Sequence, residues 1–357
     1  RWLSAAAFVA LAVATSGPAQ ADDNPVVLWN QTLITNVGGS PVLTSRTYAM
    51  FEVAIFEAVN ATTGGTRNSY LGIAPTLGDS NAAIATAARD VLLNIIPSGT
   101  AQNDARRAAI ETQYQNSLAA IPDSAAKTAG INTGALAALS VVSARSADGS
   151  AAVSSYAPLN PAVDGHYQLT SAGNPVTPQW GSVTPWGLDS GSQFRPAAPP
   201  DINSPEFAAA LAEVQAIGIA GATSTRTPFQ TQSAQYWASP AGTGLAPWIA
   251  GAIEAADGKG LSSLDYAAMF ASLTTNVADA TIGIFDAKYF YDFWRPATAI
   301  NDANPGLNWT SLIGSPLHPS YVSGHSGVGA AAAAIVGAAT VIVGGGDVVA
   351  ADGGIGG

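Results

Sequence analysis

Apolar residues recur at helical spacing along most of the chain, whereas the alternation typical of β-strands is scarce. One segment places five apolar residues on a single helix face: Phe51, Ala54, Ile55, Ala58 and Val59. Ser45 is the expected cap of this helix. A second helix is expected after Ser80, ending at Pro97, and others near 103–120 and 124–145. The pattern predicts an all-α fold, a multi-helix bundle with long irregular connections.

The composition suits such a bundle and excludes several classes of function. Hydrophobic residues make up 48% of the 357 residues and charged residues only 10%, and the 37 glycines allow helices to approach closely. The formal net charge of −11 argues against a nucleic-acid partner, because phosphate contacts need clustered Lys and Arg. The absence of cysteine excludes disulfides, thiolate catalysis and Cys-ligated zinc.

The N-terminal residues have the pattern of a secretory signal. An apolar run over 3–13 follows Arg1, and Ala19-Gln20-Ala21 is a small-x-small cleavage site. We therefore expect residues 1–21 to be a signal peptide and the protein to be secreted or periplasmic. A buried first helix is the alternative interpretation.

The rest of the chain divides into three regions. We expect an N-terminal helical region over 22–153, an irregular connection rich in Pro, Gly, Ser and Asn over 154–203, and a second helical domain over 204–357. Connections of this length are usually functional or linkers. The last residues, from Gly344 onwards, are expected to form a flexible tail.

The uncharged segment 327–343 allows two interpretations, a membrane span or a buried central helix. It consists mostly of Ala and Gly and follows the polar residues Ser323-Gly324-His325 directly. We favour a buried helix, and expect no stable membrane span after signal cleavage.

Two basic residues stand among five aromatic residues in the segment 286–296. Lys288 and Arg295 are seven positions apart, which corresponds to about two helical turns and would place both on one face. Pro296 is expected to end the helix at Arg295. Two cations in an apolar setting are costly unless an anion neutralises them. The alternative is a surface ion pair between Lys288 and Asp292.

A second motif, Ser323-Gly324-His325, directly precedes the Ala-rich segment. A Ser hydroxyl and backbone N–H groups at the start of a helix can bind an anion, and the helix dipole favours this. Gly324 permits close backbone approach, and His325 is placed to donate or accept a proton beside that anion. Ordinary helix capping by Ser323 is the alternative.

Together the two motifs resemble the first two signature motifs of the superfamily of vanadium-dependent haloperoxidases and type-2 phosphatidic acid phosphatases. Arg195-Pro196 is an internal control, because Leu188 stands seven positions before it and no partner cation is present. The similarity extends over most of 26–343 and is closest to the bacterial vanadium haloperoxidase branch.

The resemblance implies a cofactor and a role for each residue. Lys288 and Arg295 would bind equatorial oxygens of vanadate, or of phosphate in a phosphatase. Ser323 and the Gly324 amide would add hydrogen bonds, and His325 would be the catalytic acid–base residue.

The resemblance also implies substrates. A haloperoxidase would oxidise halide with hydrogen peroxide to hypohalous acid, while a phosphatase would hydrolyse a phosphate ester. His318, seven residues before His325, would lie in the halide pocket and favours bromide, with a structural role as its alternative. An oligomer is compatible with the sequence.

The sequence departs from the family pattern in two places. Val322 replaces the usual Pro before Ser-Gly-His. The third motif, an Arg followed by the vanadium-bonding His, has no match after Gly344, and His166 lies in the wrong order. We expect that histidine beyond Gly357, so the 357 residues would be an inactive, C-terminally truncated fragment with no metal-bonding residue of its own. A degenerate, non-catalytic oxyanion-binding protein is the remaining alternative.

Overall fold

The computed structural model describes residues 24–221 and 223–342. Within these ranges the chain forms eleven α-helices and no β-strand, which confirms the predicted all-α fold. The helices are α1 (Pro25–Asn36), α2 (Pro41–Thr62), α3 (Ser80–Ile95), α4 (Ala101–Ala119), α5 (Ala125–Arg145), α6 (Pro205–Gly218), α7 (Pro228–Ala238), α8 (Ala246–Ala256), α9 (Ser263–Tyr291), α10 (Pro296–Ala303) and α11 (Gly324–Ile342). The expected signal peptide and C-terminal tail lie outside the described residues.

Most helices begin at the side chains that favour helix starts. Asp79 accepts a hydrogen bond from the Ala82 amide at the start of α3, and Ser124 caps α5 in the same way. The cap expected at Ser45 is wrong. Helix α2 begins at Pro41, and the Ser45 hydroxyl donates to the Val42 carbonyl inside the helix, at 2.7 Å.

The main hydrophobic core lies around α2, which packs against α3, α5 and α9. Small residues allow this close packing. A Cβ atom at Gly134 of α5 would lie 2.3 Å from the carbonyl oxygen of Ala83 in α3, so only glycine permits the observed approach. Side chains of α1 and α8 complete the same core.

The irregular connection 154–203 contains a single 3₁₀ turn, Trp180–Ser182, and lies along α9. Asp279 of α9 accepts hydrogen bonds from the amides of three consecutive residues, 186–188, at 2.7–3.2 Å. About two helical turns further along α9, the Asp286 carboxylate forms a bidentate ion pair with the Arg195 guanidinium. The connection is therefore anchored to the helix that leads to the predicted site.

Helix α11 packs on α9 and α8, and Gly327 lies where a Cβ atom would meet the Ile284 side chain at 2.6 Å. Among the described side chains of α11 only Ala332 is fully buried. The expected buried helix is therefore only partly buried over the residues whose side chains are described. No helix in the described ranges combines the length and hydropathy that a bilayer span requires.

Candidate oxyanion site

Lys288 and Arg295 do not share a helix, in contrast to the two-turn spacing expected from the sequence. Asp292 adopts a left-handed conformation, with φ of 51°, and ends α9. Arg295 is extended and immediately precedes Pro296, the first residue of α10. A residue before proline avoids the helical region, which explains why Arg295 starts the next helix instead of continuing the first.

The two cations nevertheless contact one short segment, residues 318–320. The Lys288 ammonium group donates to the carbonyl oxygens of Pro319, at 3.0 Å, and Ser320, at 2.9 Å. The Arg295 Nε donates to the His318 carbonyl oxygen at 2.6 Å. We call Lys288 and Arg295 the cation pair.

Lys288 is buried and Arg295 is partly buried, and neither has a carboxylate partner among the described residues. Lys288 is only 2% exposed. Within the described residues neither cation forms an ion pair. The surface pair with Asp292 is wrong, because the Asp292 carboxylate accepts hydrogen bonds from Tyr156 and His166 instead. Carbonyl oxygens satisfy the donors but leave the positive charge uncompensated.

The pKa values of the cation pair reflect this environment. Burial, and then the charge of Arg295, lowers the pKa of Lys288 to about 7. Burial lowers the pKa of Arg295 to about 10. Both shifts have the direction expected when cations are desolvated, and an anion bound between them would oppose that effect.

His318 lies directly against Arg295. Its Nδ1 is 2.7 Å from an Arg295 Nη2 and 3.0 Å from the Pro319 carbonyl oxygen. Burial, followed by the charges of Lys288 and Arg295, lowers the pKa of His318 to about 3, so its ring is neutral. The shorter contact favours the tautomer in which Nδ1 accepts from Arg295. The ring also packs against Phe285, with centroids 5.4 Å apart.

The Ser-Gly-His motif begins α11 close to the same segment. Ser323 lies three residues after Ser320, and its hydroxyl accepts from the Ser326 amide at 3.3 Å. The exposed His325 ring has its Nε2 at 3.0 Å from the Trp237 carbonyl oxygen. Among described residues no hydrogen bond joins Ser323 or His325 to the cation pair. The structure thus brings Lys288, Arg295 and His318 into contact, while Ser323, Gly324 and His325 remain predicted members of the site.

An apolar cavity of about 520 Å³ lies beside this segment. Ser320 and Ser323 are among its polar lining residues, and Trp294 and Pro296, which flank Arg295, form part of the wall. Phe207 of α6 and Trp294 both line the cavity, and their rings stack with centroids 6.2 Å apart. The cavity has the size of an ordinary small-molecule pocket.

Comparisons with known proteins concern the family and the fold of the chain. Residues 268–347 match the family model of the VCPO second helical-bundle domain, and this range includes the cation pair and the Ser-Gly-His motif. A bacterial vanadium-dependent iodoperoxidase superimposes with a TM-score of 0.70 at 22% identity, over 91% of this chain and 83% of the other. A holo-type bacterial vanadium-dependent chloroperoxidase gives 0.63 at 15% identity, over 91% and 78% of the two chains. Its apo-type counterpart gives 0.60 at 15%, over 87% and 76%.

The chain has the vanadium haloperoxidase fold. This result supports the superfamily resemblance inferred from the two motifs. No curated protein sequence matches the chain.

In this vanadium haloperoxidase fold the irregular connection also reaches the site, which the sequence analysis did not predict. Backbone hydrogen bonds join Tyr167 N to Asp292 O at 2.7 Å, and Trp294 N to Gly165 O at 3.0 Å. The Tyr167 side chain is completely buried, and its hydroxyl has no hydrogen-bond partner among the described residues. Nothing in the local sequence marks this residue, because its position depends on a pairing across more than 120 residues.

The residues present fit a tetrahedral oxyanion better than a directly ligated metal ion. The buried Lys288, the partly buried Arg295 and the buried Tyr167 hydroxyl, which has no hydrogen-bond partner among the described residues, lie on neighbouring elements. In contrast, no group of three or more His, Cys, Asp or Glu side chains in the described parts of the chain is placed to hold a metal ion. The arrangement can therefore compensate negative oxygens.

Proposed function

We propose that this protein is a vanadate-dependent haloperoxidase, which oxidises halide with hydrogen peroxide to hypohalous acid. The observation that carries the proposal is the cation pair, with Lys288 buried and Arg295 partly buried. Both side chains contact one shared segment, and neither has a carboxylate partner among the described residues. The haloperoxidase fold of the chain supports it.

In this proposal Lys288, Arg295, Ser323 and the Gly324 amide hold the vanadate oxygens through charge-assisted hydrogen bonds. Bound vanadate supplies a Lewis acid that activates peroxide towards attack by halide. His325 donates and accepts protons at its ring nitrogen during peroxide binding. Its contact with the Trp237 carbonyl must then be exchanged for the bound anion or peroxide.

We propose bromide as the preferred halide, on the position of His318. A neutral imidazole between Arg295 and Phe285 offers a polar N–H edge beside an apolar ring, and so combines a hydrogen-bond donor with a polarisable surface. Comparison of the turnover of chloride, bromide and iodide by the wild type and by His318→Phe tests this assignment. Unchanged relative rates would contradict it.

We also propose that the protein is exported, on the signal pattern of residues 1–21. Expression of the full gene in a bacterial host, followed by N-terminal sequencing of the exported protein, checks this. A mature chain that begins at Asp22 is expected. A protein that stays in the cytoplasm and keeps residues 1–21 would contradict export.

The decisive experiment measures orthovanadate binding by calorimetry. The wild type is expected to bind, while Lys288→Ala and Arg295→Ala each bind at least about tenfold more weakly, because each loses a charge-assisted contact. Lys127→Ala is the matched control, since Lys127 lies in the first turn of α5, pairs with the exposed Asp123 and is not a predicted site residue. Wild-type affinity in both site variants would refute the proposed site.

Activity assays of the full gene product then distinguish the chemistry. Halogenation of an acceptor dye with vanadate, peroxide and bromide is expected. Hydrolysis of a phosphate ester in the absence of vanadate, without halogenation, would instead assign the protein as an acid phosphatase that uses the same oxyanion site.

A further inference from the structure

Among the described tyrosines near the cation pair, only Tyr167 has a buried hydroxyl without a hydrogen-bond partner. Its side chain is 0% exposed. Its two neighbours differ in this respect, because the Tyr156 hydroxyl donates to Asp292, and the Tyr289 hydroxyl donates to the Val176 carbonyl at 2.6 Å. Buried tyrosine hydroxyls normally have a partner, so the exception calls for one that is supplied from outside the chain.

The backbone fixes Tyr167 next to Arg295. Residues 165–167 pair in antiparallel fashion with residues 292–294, through the Tyr167–Asp292 and Trp294–Gly165 hydrogen bonds and the bridge between His166 and Phe293. Arg295 follows this pairing directly. The His166 side chain turns to the Asp292 carboxylate, at 3.0 Å, and leaves the Tyr167 ring in the interior.

The positive charge of Arg295 influences the pKa of the Tyr167 hydroxyl. Burial raises the pKa of Tyr167, while the positive charge of Arg295 opposes this rise. The phenol is therefore neutral and is a hydrogen-bond donor. No hydrogen bond joins it directly to Arg295 in the described structure. An anionic acceptor between the two residues would give the hydroxyl a partner and would compensate the charge of Arg295.

We propose that the Tyr167 hydroxyl donates a hydrogen bond to an oxygen of the tetrahedral oxyanion held by Arg295. The proposal rests on the oxyanion site of the proposed function and adds a neutral donor from the irregular connection. Tyr167 would thus be a binding residue that contacts the anion, and the connection would complete the site. Vanadate and inorganic phosphate belong to the same class of ligand.

The test compares Tyr167→Phe with the wild type by calorimetric titration with orthovanadate and with inorganic phosphate. Affinity is expected to fall by roughly tenfold, because one hydrogen bond to a charged oxygen is lost. The melting temperature of the anion-free variant is expected to be unchanged or higher, because the removed hydroxyl has no partner in the protein. Tyr289→Phe is the matched control and is expected to keep its anion affinity while losing stability, since its hydroxyl has an acceptor.

Each other outcome overturns the proposal. Equal anion affinity in Tyr167→Phe and the wild type would show that the hydroxyl does not reach the anion. A lower melting temperature in the anion-free Tyr167→Phe variant would show that the hydroxyl has a structural partner. Failure of the wild type to bind either anion would refute the oxyanion site itself, and with it both proposals.

Discussion

At the scale of single residues, the structure buries two ionisable side chains, one basic and one acidic. Lys288 is a buried cation whose donors meet carbonyl oxygens. Glu52 is a buried acid in the core, where its Oε2 accepts a long hydrogen bond of 3.4 Å from Asn30. The Glu52 Oε1 and the Asn30 Oδ1 are both buried without a partner. A protonated Glu52 would supply the missing donor, which agrees with the rise of its pKa to about 8 that burial causes.

Glu52 makes stability depend on pH. Its pKa in the folded protein, about 8, exceeds the ordinary value of 4.5, so the folded state holds the proton more tightly. This contribution to the free energy of unfolding is fully present below pH 4.5 and is lost as the pH rises through 8. Each pKa unit corresponds to about 1.4 kcal/mol, so Glu52 should lower the free energy of unfolding of the wild type by roughly 3–4 kcal/mol between pH 5 and pH 8, measured by urea unfolding. Glu52→Gln should show a flatter profile, whereas the exposed control Glu254→Gln should match the wild type. A wild-type profile in Glu52→Gln would contradict this assignment.

His325 gives a second prediction at this scale. His325→Ala is expected to lose nearly all halogenating turnover while largely retaining vanadate, because in the proposed function its ring would transfer protons and the cation pair would hold the anion. Calorimetry and a dye assay on the same preparation separate the two effects. A fully active variant would remove the acid–base role.

At the scale of elements, α9 organises the site through three aspartates that face the irregular connection. Asp279 binds the amides of 186–188, Asp286 binds Arg195, and Asp292 binds Tyr156 and His166. The Arg195 guanidinium also lies over the Phe290 ring, 3.6 Å from its centroid. Arg195, which lacks a neighbouring cation in the sequence, is thus an anchor of the connection and not a second oxyanion residue.

Loss of the first anchor should loosen the connection. Asp279→Ala leaves three backbone N–H groups without their acceptor, and is expected to lower the free energy of unfolding by about 2 kcal/mol or more. Limited proteolysis should then cut within 154–203 faster than in the wild type. Asp201→Ala, at an exposed position of the same connection, is the control. Equal cleavage rates in the two variants would show that Asp279 does not hold the segment.

At the scale of the whole molecule, the helices of the N-terminal half share a hydrophobic core with α8 and α9. Because α9 also carries Lys288, the predicted site is attached to this core. Two helices next to the predicted site are less buried. Helices α6 and α7 contain no buried residue among those described. An anion that binds the folded state should therefore stabilise the molecule by linking α9, the 318–320 segment and the start of α11.

This linkage is measurable without turnover. Orthovanadate at a hundred times its Kd should raise stability by about 2.7 kcal/mol and the melting temperature by several degrees, because only the folded state binds it. A double variant, Lys288→Ala with Arg295→Ala, should show no such rise. The same rise in the double variant would mean that the anion stabilises the protein elsewhere.

The sequence alone was enough for the all-α class and most helix positions. It also singled out two cations and a Ser-Gly-His motif as the chemistry of the site, which stays a prediction. These depend on local spacing, capping and proline, which act over a few residues. Helix ends were less predictable, as the start of α2 shows, because Pro41 at the first turn outweighs a serine inside it.

Only the tertiary structure decided how those residues meet. The left-handed Asp292 separates Lys288 from Arg295 along the chain, and the carbonyl oxygens of 318–320 bring them back to one segment. Tyr167 reaches Arg295 through a backbone pairing with residues far along the chain. Such contacts follow from how whole elements pack, so no pattern of neighbouring residues contains them.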